Sequence, residues 1–81
     1  MDRNTILFNP ETPDKQSIHE IVTEVYASLE EKGYDPIAQL SGYILSGDPS
    51  YITSYNNARS KLKHIDRDDL IEELLKKYLD L

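Results

Sequence analysis

The sequence predicts an all-α domain, a compact bundle of about four to five short helices behind a flexible N-terminal arm. Three observations predict it. Apolar residues recur at helical spacing through two long segments, from Ile18 to Leu29 and from Leu70 to Leu79. Helix punctuation is dense: Asp35-Pro36 and Asp48-Pro49 are start signals, and Gly33 and Gly47 are stop signals. Strand character is confined to Thr5-Ile6-Leu7-Phe8, which Asn9-Pro10 ends and which has no local strand to pair with.

The elements follow in order. Residues 1–12 form the arm and residues 13–81 the helical domain. The first helix is expected from about Pro13 to Lys32, with Thr12 as N-cap and Asp14 complementing the helix dipole. Ile18, Ile21, Val22, Val25, Tyr26 and Leu29 make one apolar stripe along it, and Gly33 ends it. The second begins at Asp35-Pro36, carries Ile37, Leu40, Ile44 and Leu45, and ends at Ser46-Gly47. Ala38, Ser41 and Gly42 are small, so another backbone can approach closely there. Asp48-Pro49 opens a short helical turn through Tyr51-Ile52. The third helix is expected over Tyr55–His64, with Tyr55, Ala58, Leu62 and Ile65 on its buried side. The fourth follows from Asp66, whose spacing to Asp69 resembles a capping box, and carries Leu70, Ile71, Leu74, Leu75, Tyr78 and Leu79.

Composition bounds the function. Leu, Ile, Val and Phe make up about a quarter of the 81 residues, above the disorder-like range, so the chain folds. A core this small has little stability to spare. The apolar mass on the fourth helix therefore suits either an ordinary monomer or a homodimer whose core extends across two chains. There is no cysteine, which fits a reducing, cytoplasmic compartment and excludes disulfides, thiolate catalysis and Cys-based zinc sites. No apolar run approaches the ~20 residues of a membrane span, and the N-terminus lacks a signal-peptide core. The net charge of −6 argues against general nucleic-acid affinity.

Catalytic signals are poor. His19 and His64 lie outside any metal-ligand spacing, the serines form no nucleophile elbow, and no phosphate or dinucleotide fingerprint occurs. Asp66, Asp68 and Asp69 lack the glycine and terminal glutamate of a calcium loop. No enzyme activity, cofactor or metal is expected.

Two features point to binding and regulation. Arg59, Lys63 and Arg67 fall at i, i+4 and i+8, so a continuous helix would carry them as a cationic stripe flanked by Lys61 and His64. Such a stripe is either a solvated face paired with helix acids or a docking site for an acidic protein surface, a phosphate or a nucleic-acid backbone. The last option makes a helix-turn-helix-like nucleic-acid module the alternative reading, against which Asp66, Asp68 and Asp69 count. Thr5 lies in the arm beside Arg3 and ahead of Ile6-Leu7-Phe8. A phosphate there would add ~1.5–2 negative charges and strong acceptor oxygens.

The chain also resembles a known family. Leu29-Glu30-Glu31-Lys32-Gly33-Tyr34-Asp35-Pro36-Ile37, then Gly42-Tyr43-Ile44-Leu45-Ser46-Gly47-Asp48-Pro49-Ser50-Tyr51-Ile52, are similar to the IreB/ReoM family of small proteins from low-GC Gram-positive bacteria. Asn57-Ala58-Arg59, Arg67-Asp68-Asp69 and Glu72-Glu73-Leu74 continue the match. The resemblance implies a non-catalytic, all-helical, homodimeric regulator. It implies phosphorylation by the membrane Ser/Thr kinase with PASTA domains, and reversal by the cognate phosphatase. It further implies an influence on peptidoglycan synthesis and antibiotic tolerance, through ClpC–ClpP turnover of the enolpyruvyl transferase. Thr5 matches the family phosphothreonine by position. Arg59 and Arg67 match its functional basic residues, with Lys63 replacing arginine and Thr53-Ser54 standing where Pro-Arg is common.

Overall fold

A computed structural model describes residues 16–81, so the arm lies outside the described residues. Four α-helices follow one another: α1 (Ile18–Glu31), α2 (Pro36–Ser46), α3 (Ala58–Lys63) and α4 (Arg67–Tyr78). Two 3-10 turns, Pro49–Tyr51 and Tyr55–Asn57, lie between α2 and α3. There is no strand among the described residues, and the expected all-α class holds.

Local chemistry explains most boundaries. α1 begins at Ile18 rather than near Pro13, because Ser17 and Glu20 form a reciprocal capping box. Ser17 Oγ accepts from the Glu20 amide at 3.0 Å, and Glu20 Oε1 accepts from the Ser17 amide at 2.9 Å. Gln16 and Ser17 are already outside the helix, and the expected cap at Thr12 lies outside the described residues. At the other end the Tyr34 amide donates to Leu29 O and the Gly33 amide to Glu30 O, both at 3.0 Å. This pair of hydrogen bonds closes a Schellman motif around Gly33, whose φ of +86° a residue without Cβ adopts at no steric cost.

α2 starts as its sequence dictates, with Asp35 Oδ1 accepting from the Ala38 amide and Pro36 in the first turn. Gly47 ends it at φ +74°. The small-residue surface of α2 has a defined use: a Cβ on Gly42 would collide with the ring of Tyr51. Tyr51 is further held by Gln39 Nε2, which donates to its carbonyl at 2.8 Å.

Two expectations fail, one on the backbone and one at a side chain. The third helix does not begin at Tyr55, because Asn56 and Asn57 both adopt left-handed conformations, at φ 54° and 60°. Asparagine tolerates that region better than most residues. The chain therefore turns there, and α3 begins at Ala58. Asp66 is the N-cap of α4 by backbone conformation, but its side chain makes no capping bond, so no box forms with Asp69.

The core is built chiefly on α1. Ile21, Val25 and Leu29 meet Tyr43 of α2, Ile52 of the linking segment, Ala58 and Leu62 of α3, and Leu70 of α4. Val25 and Leu29 are fully enclosed. Helix α4 contributes Leu70 alone, and leaves Ile71, Leu74, Leu75, Tyr78 and Leu79 exposed. Its root borders an apolar groove of about 220 Å³ between Val22 and Tyr26 of α1 and Ile37, Leu40 and Ile44 of α2. Among the described residues, no helix is long and apolar enough to cross a membrane.

Candidate partner-binding site

The cationic residues do not lie on one continuous helix. α3 stops at Lys63, and Asp66 takes an extended conformation (φ −66°, ψ 136°) before α4 starts at Arg67. The i, i+4, i+8 spacing is thus interrupted, and tertiary contacts place Arg59 and Arg67 instead.

Arg59 is half-buried, and its Nε donates to the carbonyl of Ile52 at 2.8 Å. Arg67 is the first residue of α4, and its Nη1 donates to the carbonyl of Ile44 at 2.8 Å. Ile44 lies in the last turn of α2, where carbonyls lack intrahelical partners, so the guanidinium both satisfies an acceptor and complements the negative helix end. Gly47 makes room for it, since a Cβ there would lie 2.7 Å from Arg67 Cζ. Gly47 is favoured by its positive φ, and any added Cβ would also push the Arg67 guanidinium aside.

These two bonds have a common target. They grip the segment Ile44–Ile52 from its two ends, and this segment contains Leu45-Ser46-Gly47-Asp48-Pro49-Ser50-Tyr51-Ile52. Within it, Asp48 Oδ1 accepts from the Ser50 amide at 2.9 Å. The Ser50 hydrogen bonds, with a smaller contribution from the Arg59 charge, hold the Asp48 carboxyl below its ordinary pKa. The sequence pattern flagged both the arginines and the motif. It carried no signal that one clasps the other, because the bonds join residues 7 and 23 positions apart.

The remaining cations divide. Lys61 turns to α1, where its Nζ lies 2.9 Å from Glu24 Oε1. Gln16 Nε2 donates to the other carboxylate oxygen at 2.8 Å. The Lys61 bond, then the Gln16 bond, lower the Glu24 pKa from 4.5. His64 Nδ1 lies 2.8 Å from Ser60 O, within its own helix. Lys63 is exposed, and no hydrogen bond or ion pair with another described residue holds it. Thr5 lies outside the described residues.

The site is suited to recognition. Guanidinium groups fixed by carbonyls present planar donors suited to carboxylate or phosphate. Among the described residues no three His, Asp or Glu side chains are grouped to hold a metal ion. The family model for the IreB regulatory phosphoprotein matches residues 3–80, nearly the whole chain and all of the clasped motif. The chain belongs to the IreB regulatory phosphoprotein family.

Proposed function

We propose that the chain is a cytoplasmic, non-catalytic adaptor switched by phosphorylation at Thr5, and that it regulates peptidoglycan synthesis. The observation that carries this reading is membership of a regulatory phosphoprotein family together with a fixed cationic site. A PASTA-type Ser/Thr kinase adds the phosphate and its cognate phosphatase removes it. The unmodified form presents Arg59, Lys63 and Arg67 to the ClpC-type protease or to its client, the enolpyruvyl transferase, and so influences turnover of that enzyme. Phosphorylation of Thr5 weakens this contact, either by competing for the same guanidinium groups or by repelling an acidic partner.

The adaptor works as a homodimer, paired through the exposed apolar side of α4 and the groove beside it. A face carrying Ile71, Leu74, Leu75 and Leu79 is costly to leave in water, and a second copy offers the same surface.

Kinase labelling tests the switch. Thr5→Ala is expected to abolish phosphate incorporation, and full labelling at another residue would refute the assignment. A crosslinking pull-down comparing unmodified and phospho-Thr5 protein tests the adaptor role. Protease or transferase should be captured by the unmodified form and lost with Lys63→Glu; equal capture by all forms counts against the reading.

A further inference from the structure

The N-terminal end of α1 borders an open cavity of about 450 Å³ with an apolar floor. Ile18 and Ile21 of α1 and Ile65 of the α3–α4 turn form that floor, and Gln16, His64, Asp66 and Asp69 its rim. Helices with a capping box often carry an apolar residue just before the N-cap, packed against the fourth helical residue. α4 has that pair of residue types, Ile65 and Leu70. α1 has the box but not the pair, since Gln16 precedes Ser17 while Ile21 occupies the fourth position. Ile21 is packed into the core on one side, but the outer side of this helix start, where an apolar residue before the N-cap would lie, borders the open cavity instead.

We infer that Ile6-Leu7-Phe8 of the same chain occupies this cavity, and that a phosphate on Thr5 expels it. The chain enters the described structure at Gln16, which is itself part of the cavity wall. Phe8 is eight residues earlier, a tether of at most about 28 Å, so the segment reaches the floor with slack. Ile6-Leu7-Phe8 is the one apolar cluster in residues 1–15, and Arg3 just before it complements Asp66 and Asp69 on the rim. A phosphorylated Thr5 brings a dianion to a rim with two carboxylates against one imidazole, and like-charge repulsion opposes docking. This release step rests on Thr5 being the modified residue; the docking itself does not.

The absence of cysteine permits a single-label test in the full chain. With a nitroxide on Asn9→Cys, the amide signals of Ile18, Ile21 and Ile65 should lose most of their intensity, while that of Leu45 does not. The broadening should vanish in Asn9→Cys/Phe8→Asp, whose second change lies outside the described core, and in the phospho-Thr5 chain. Unbroadened Ile65 in the native arm overturns the docking and leaves the Thr5 assignment to kinase labelling. Broadening seen only between chains, in a mixture of spin-labelled and isotope-labelled protein, assigns the cavity to a second copy's arm and overturns the inference. Broadening that persists in the phospho-Thr5 chain overturns the release.

Discussion

Helices α1 and α4 have similar lengths, 14 and 12 residues, and both carry apolar side chains at helical spacing. α1 nevertheless encloses Ile21, Val25, Ser28 and Leu29, whereas α4 encloses only Leu70. Periodicity states that a helix has a face to bury; it does not state what buries it. Around α1 the covering elements come from the same chain. Along most of α4 they do not, and its exposed apolar side is where the proposed homodimer would pair.

The largest expected effect tests this contrast directly. Leu29→Ala opens a cavity in a closed core and should cost about 2–5 kcal/mol by chemical denaturation. Leu75→Asp on α4 changes a side chain that is 54% exposed, so the monomer should keep its helical signal. If the proposed dimer pairs through this side of α4, the same change should move sedimentation from dimer to monomer. A dimer that survives it removes α4 from the interface.

The arginine clasp gives the next effect. Gly47→Ala places a Cβ at positive φ and against the Arg67 guanidinium, and should cost about 1–2 kcal/mol. Arg67→Ala should cost about 1 kcal/mol, because a charge-assisted bond is lost at an exposed position. The pair should be non-additive in a double-mutant cycle. Lys63→Ala should change stability by less than ~0.5 kcal/mol while weakening partner capture, separating recognition from folding.

A smaller effect of about 1 kcal/mol is expected for Ser17→Ala, read as faster amide exchange at Glu20. The smallest concerns pH. Glu24 has a lower pKa folded than unfolded, so its bonds to Lys61 and Gln16 add stability above pH 4.5. That contribution fades as the pH falls below 4.5 through the folded value. Glu24→Gln should flatten this part of the acid-denaturation curve.

Much of the fold was legible in residue order. Asp35-Pro36, Gly33 and Gly47 mark helix ends because caps are satisfied by neighbours within four or five residues. The start of α1 was also local, but the reading from Thr12-Pro13 passed over the Ser17-x-x-Glu20 pattern, whose reciprocal box caps the helix at Ser17. Asn56 and Asn57 were harder, since asparagine permits both a helical and a left-handed backbone. For the candidate site, the residue types of Arg59, Lys63 and Arg67 were visible, but their arrangement was not. Extrapolating one helix through His64–Asp66 made a ridge of what is a clasp.

The sequence by itself determined the helical class, the punctuation of α2 and the Schellman end of α1, because these depend on groups a few residues apart. Tertiary structure alone decided which apolar residues are enclosed and which carbonyls the arginines hold. Those outcomes depend on where distant segments meet, and no local pattern encodes the distance from Arg67 to Ile44.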